Sequence, residues 1–139
     1  MSGFDDAYRA VIAVEGGTSN DPNDAGGLTC AGITQVTAMA AYVQKLVSTD
    51  DPRRLTEAER RVIYKTFYWD RVVFPGMKDA HAVILFDAAV NCGVGSAVKF
   101  LQRAMNELLR VPITVDGVLG PGTKRAYRTI MTASQFQCP

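Results

Sequence analysis

Glu15, Asp24 and Thr29 are the residues whose types and spacing could carry chemistry. They lie in the stretch from Val14-Glu15-Gly16-Gly17 to Gly32-Ile33-Thr34, where Asp24 follows Glu15 by nine residues and Thr29 follows Asp24 by five. A hairpin folding back over the end of a helix would set Glu15 and Asp24 on opposite sides of one groove. Cleavage of a glycosidic bond needs such a pair. One carboxyl protonates the leaving oxygen, while the other stabilises the oxocarbenium-like centre or activates water. Thr29 would position the water or the second carboxylate through its hydroxyl.

Two features favour a raised pKa for Glu15. It continues the helical face of Tyr8 and Val11, so desolvation disfavours its charge. It also ends a helix, whose negative pole repels a carboxylate. A raised pKa suits a general acid, and Asp24, in a polar segment, is expected to stay ionised. The plainer reading of the spacing alone is a solvated turn after an ordinary helix-end glutamate, since glycines and Asx residues are turn formers.

The elements that would position these residues are mostly helical. Phe4, Tyr8, Val11, Ile12 and Glu15 follow helical spacing, and Gly16-Gly17 ends that helix. Residues 18–33, with Pro22, read as a loop or short β-hairpin. Thr34 caps a second helix predicted to run to about Val47. Thr56-Glu57-Ala58-Glu59 is a capping box that starts a third helix running towards Trp69. From Asp79 to about Val90 the chain is apolar almost all round, which predicts a buried central helix. Ser96 starts a fifth helix with Ala97, Leu101, Ala104, Met105 and Leu108 inward. A turn-rich connector then leads to a last helix opening at Gly120-Pro121, with Ile113–Val115 as a candidate strand. The expected fold class is mainly α, a lysozyme-like helical fold with a small β-hairpin near the active site.

The chain has 139 residues, a net charge of +1, 47% hydrophobic and 21% charged residues, the mix of a folded globular protein. So even a balance argues against electrostatic nucleic-acid binding, although residues 1–50 carry −4 and residues 51–139 carry +5. That asymmetry reads either as ordinary solvated helix faces or as attraction of the second half to an anionic polymer. A single histidine, His81, excludes sites needing several imidazoles, and its place at the start of an apolar helix reads as structural. Cys30, Cys92 and Cys138 are too scattered for a disulfide framework, a zinc site or a paired Cys/His nucleophile, so no metal or cofactor is expected. No apolar run spans a membrane and no signal peptide opens the chain, so no membrane insertion is expected.

Glu15-Gly16-Gly17, Asn20-Asp21-Pro22, Asp24-x-Gly26-Gly27-x-Thr29 and Gly32-Ile33-Thr34 closely resemble the signature of glycoside hydrolase family 108, lysozyme-like N-acetylmuramidases of phage and prophage. Tyr64 and Tyr68-Trp69-Asp70 resemble its aromatic segment. Asn91-Cys92-Gly93-Val94-Gly95 and Val115-Asp116-Gly117-Val118-Leu119-Gly120-Pro121 resemble its peptidoglycan-binding-like part. Thr18 stands where the family commonly has an aromatic residue, and Cys30 where a larger one is more usual.

The resemblance implies a lysozyme-like catalytic region over 1–92, with a peptidoglycan-binding-like helical subdomain, 93–139, packed on it as one unit. It implies Glu15, Asp24 and Thr29 as catalytic residues and Asn20, Asp21, Thr34, Tyr68, Trp69 and Asn91 as substrate contacts. It also implies a monomer that needs no cofactor and acts on bacterial peptidoglycan. Such an enzyme would be made in the host bacterial cytoplasm and reach the wall in the periplasm through a holin or another export route. Two residue readings stay open beside it. Tyr68 and Trp69 would stack on sugar faces or close a helix end as core aromatics. Asn91 would hold an N-acetyl group, orient Asp24 or cap a helix. A lytic transglycosylase using Glu15 alone and a non-catalytic wall-binding module of a phage particle are the competing functions. The pairing with Asp24 speaks against the first, and the complete Glu15/Asp24/Thr29 set against the second.

Overall fold

A computed structural model of the chain describes residues 3–15, 18–19, 29–30 and 33–137, with only the backbone described at 13–15, 18–19, 29–30 and 134–137. The fold is mainly α, as expected, with one small antiparallel sheet. It divides into two compact units, Met1–Phe67 and Tyr68–Pro139.

In the first unit, α1 (Gly3–Glu15) opens with Asp5 and Asp6, which suit the positive pole of a helix. Phe4, Ala7, Tyr8 and Val11 fall on one face at helical spacing and are buried. The sheet has strand order β1-β2-β3, formed by β1 (Thr18–Ser19), β2 (Thr29–Cys30) and β3 (Ile33–Thr34). Then follow α2 (Gln35–Val43), a 3-10 turn (Pro52–Arg54) and α3 (Glu57–Tyr64). The capping box at α3 is fully formed: the Glu59 amide donates to Thr56 Oγ1 (3.1 Å) and the Thr56 amide to Glu59 Oε1 (3.0 Å). The second helix stops at Val43, short of the expected Val47. Lys45 takes φ 62°, while Lys45 N–H donates to Tyr42 O and Leu46 N–H to Ala41 O, a paired closure that ends the helix.

A five-residue π-helix, Lys65–Trp69, continues from α3. In the second unit come the single-turn α4 (Asp70–Val72), α5 (Asp79–Cys92), α6 (Val94–Asn106) and α7 (Pro121–Gln137). One core cluster joins Val72, Leu85, Ala89, Ala97 and Val98, and a second joins Phe74, Met105, Ala126, Tyr127 and Ile130. Gly93, at φ 95°, turns the chain between α5 and α6, and its N–H closes on Ala89 O.

Three expectations for this unit are corrected. α5 buries Ala82, Leu85, Phe86 and Ala89 but leaves Ile84 65% exposed. Its alanines count as apolar in sequence yet lose little by facing water. Leu108 lies beyond the end of α6 and is exposed, as is Ala104. Ile113–Val115 forms no strand, because the Asn106 amide satisfies both backbone groups of Ile113 (2.9 and 3.0 Å).

Candidate active site

Helix α1 ends at Glu15, as the expected site requires, and its frame is fixed from the other end. Tyr8 packs edge-on against Tyr64 (5.4 Å) and tilted against Phe4 (5.7 Å). The Arg61 guanidinium stacks over the Tyr8 ring at 4.7 Å and donates to Asp5 Oδ1 at 2.6 Å. These contacts lock α1 to α3, so the helix reaches position 15 from a rigid base. By the helical period, position 15 falls on the face of Tyr8 and Val11. Burial, with the nearby Glu57 carboxylate second, pushes the Tyr8 phenol up. Its hydroxyl has no hydrogen-bond partner among the described residues.

Three residues beyond α1 the sheet begins. Ser19 pairs with Thr29 and Thr18 with Cys30; Thr29 in turn pairs with Thr34 and Cys30 with Ile33. Thr29 therefore occupies the central strand. The segment 20–28 that links the paired strands β1 and β2 carries Asp24 at its middle position. Asn20, Asp21 and Asp24 lie outside the described residues, and of Glu15 and Thr29 only the backbone is described.

Thr34 ends β3 and caps α2. Its Oγ1 accepts from the Thr37 amide (3.2 Å) and donates to Thr37 Oγ1 (3.0 Å). The sheet thus passes without a linker into α2, and the capping hydroxyl fixes that junction.

Among the other expected contacts, Tyr68 and Trp69 fall in the π-helix, where the change of helical register re-aims side chains. Tyr68 packs partly buried on the Val72 and Leu85 cluster, and Trp69 meets Phe86 edge-on at 5.6 Å. Tyr64 of the aromatic segment is wholly buried. Asn91 sits exposed near the end of α5, its Nδ2 donating to Asp87 O (2.9 Å) and Asp87 Oδ1 (3.1 Å). The cap of that helix is Gly93, not Asn91.

The described carboxylates with partners serve the fold. Asp5, Asp51 and Glu57 hold arginines, Glu59 holds two backbone amides, Asp87 accepts from Asn91 and Asp116 accepts from Gln102. Glu59 is pulled down to about 2 by the Thr56 and Ser48 amides. Arg53 holds Asp51 low, and Gln102 does the same for Asp116. No cluster of His, Cys, Asp or Glu among the described residues could hold a metal.

An apolar groove of about 380 Å³ in the second unit, lined by Ile84, Phe100, Leu101, Met105 and Met131, contains no carboxylate. Its one histidine, His81, has Nδ1 2.7 Å from the Tyr127 hydroxyl. That hydroxyl accepts from the Lys78 amide and so donates its proton to the ring, which supports the structural reading of His81. The groove cannot supply acid and base to a glycosidic bond.

Sequence reasoning missed Gln102, whose buried amide organises the connector before α7. A lone glutamine in an amphipathic helix gives no signal of that role. It also missed the Arg61–Asp5–Tyr8 lock, which joins residues 56 positions apart.

No helix of the described residues is long and apolar enough to cross a membrane. No curated protein matches the sequence. The structure of Brucella abortus SagA superimposes with a TM-score of 0.72 at 32% sequence identity, covering 91% of this chain and 68% of that one. Residues 8–93, more than half of the chain, match the model of the family described as Glycosyl hydrolase 108, and the chain therefore belongs to that family of peptidoglycan-cleaving glycoside hydrolases.

Proposed function

We propose that the chain is an N-acetylmuramidase, hydrolysing the β-1,4 bond between N-acetylmuramic acid and N-acetylglucosamine. The observation that carries this reading is the strand register. Thr29 is paired on both sides, and the link bearing Asp24 starts and ends in paired strands directly after the helix that ends at Glu15.

Glu15, at the negative pole of α1 and on its apolar face, holds its proton near neutral pH and gives it to the glycosidic oxygen. The bond from the anomeric carbon to that oxygen breaks, and positive charge develops on the departing ring. Asp24, ionised, faces that charge or takes a proton from the attacking water. Thr29 orients this water or the Asp24 carboxylate. The water adds its oxygen to the anomeric carbon and leaves a reducing end.

Asn20, Asp21, Tyr68, Trp69 and Asn91 are substrate contacts in this reading, and Thr34 positions the sheet through its cap on α2. Region 1–92 carries the chemistry, in keeping with the extent of the family match, and 93–139 supports wall binding. The enzyme acts as a monomer of endolysin type, reaching the wall through a holin or another export route. Mass spectrometry of muropeptides released from purified wall tests the reaction. Hydrolysis leaves reducing muramic ends, whereas anhydromuramic ends would establish lytic transglycosylation instead.

A further inference from the structure

The charge asymmetry of the sequence has a structural focus on α7. Lys124, Arg125 and Arg128 lie on one face of this helix, opposite the buried Ala126, Tyr127 and Ile130. The helix contains no acidic residue. Lys124 and Arg125 fall near its N-terminal turn, where the helix dipole disfavours cations. In the first unit, by contrast, Arg53, Arg60 and Arg61 each hold a carboxylate. No ion pair of Lys124, Arg125 or Arg128 occurs among the described residues.

Fold stability does not explain this placement, because the cations sit against the dipole and without counter-charges. Their bases are nevertheless held. Lys124 Nζ and Arg128 Cζ each lie 5.9 Å from the centre of the buried Phe74 ring, which braces both side chains on the same side of the helix. Arg125, Arg128, Thr129 and Thr132 line a shallow cleft of about 440 Å³. The Thr129 hydroxyl proton is used on Arg125 O, whereas Thr132 adds a hydroxyl to the cleft.

We propose that this face of α7 is a docking strip for an anionic polymer of the cell wall, gripping its carboxylate or phosphate oxygens through Lys124, Arg125 and Arg128. The proposal rests on the muramidase reading for its choice of polymer. A nucleic acid fits less well. Residues 1–50 carry a net −4, and the aromatic ring of the patch, Phe74, is buried and offers no base a stacking surface. A strip of this kind keeps the enzyme on its insoluble substrate between cleavages and leaves the bond-breaking step untouched.

The test is co-sedimentation of the full chain with purified sacculi, stripped of phosphodiester polymers or retaining them, at ~20 and ~300 mM NaCl, where screening differs severalfold. The variant is Lys124→Gln/Arg125→Gln/Arg128→Gln, whose changes lie at surface positions, with folding checked by circular dichroism. Three exposed charge contacts predict about a tenfold loss of wall affinity at low salt, shrinking at high salt. Turnover of short soluble glycan fragments is expected to stay unchanged. Arg125→Lys/Arg128→Lys should retain binding. Loss on both kinds of sacculi assigns the strip to wall carboxylates, and loss only on those retaining the polymers assigns it to phosphates.

The inference is overturned if the triple variant sediments like the wild type at both salts, or if duplex DNA at equal charge competes the wild type off the wall completely. If the wild type binds through the strip yet releases no muropeptides, the strip stands and the muramidase reading falls.

Discussion

Replacing Gln102 by leucine tests how the second unit holds the connector before α7. The Gln102 side chain is fully buried and makes five hydrogen bonds. Its Nε2 donates to Asp116 Oδ1 (2.9 Å), Val118 O (3.2 Å) and Thr123 Oγ1 (3.0 Å), and its Oε1 accepts from the amides of Asp116 (3.1 Å) and Gly117 (3.0 Å). Gly117 itself sits at φ 76°, where an added Cβ would meet Gly95 O at 3.1 Å, so the connector cannot easily relax. Leucine keeps the volume and removes every bond. Asp116 and Val118 are exposed and recover water partners, while the Thr123 hydroxyl, only 6% exposed, does not. At about 1 kcal/mol net per bond, reduced for the exposed partners, the loss is about 3 kcal/mol. With a urea m-value of about 2 kcal/mol/M, the unfolding midpoint falls by about 1.5 M. Fluorescence is a suitable probe, because Trp69 is the single tryptophan and packs on Phe86 in the same unit. Gln102→Glu should be worse at pH 7 than at pH 4, since its carboxylate would face that of Asp116. A midpoint shift below about 0.5 M for Gln102→Leu would refute the claim that this amide organises the connector.

Other perturbations follow from single residues. Lys45→Gly should raise stability by about 0.5–1 kcal/mol, seen as a higher melting temperature, because a lysine now holds a left-handed position that glycine adopts without strain. Glu59→Gln should lower stability at pH 7 by about 1 kcal/mol, a figure well discounted for the solvent around this side chain. Its folded pKa of about 2 lies below the ordinary value of 4.5, so its contribution is complete above pH 4.5 and fades as pH falls towards 2. The melting curves of the two proteins should therefore converge near pH 2, and a gap that persists there would refute the linkage.

Local side-chain chemistry made several features readable from the sequence. The Thr56–Glu59 box, the Thr34 cap and Pro121 at the first turn of α7 each act within a few residues, so their spacing carries the whole signal. Features governed by backbone register or distant partners were not readable. The π-helix at Lys65–Trp69 has no compositional mark, and Lys45 at φ 62° takes a position where glycine is the expected residue. Ile113–Val115 reads as a strand by β-branching, but its hydrogen bonds go to the Asn106 side chain. At the candidate site, the helix ending at Glu15 and the hairpin around Asp24 were legible from the glycine and Asx pattern. The third strand, which pairs Thr34 with Thr29 and makes β2 central, was not, because two-residue strands are too short to show alternation.

Glu15→Gln tests the central claim most directly, read by mass spectrometry of muropeptides released from purified wall and by thermal melting of the same sample. Glutamine matches the shape of glutamate but cannot donate the proton that releases the leaving sugar. The account predicts a fall in reducing-end products of at least about 10²–10⁴-fold with an unchanged melting curve. A variant that keeps more than about a tenth of wild-type product release, with the fold intact, would contradict the assignment of Glu15 as the general acid.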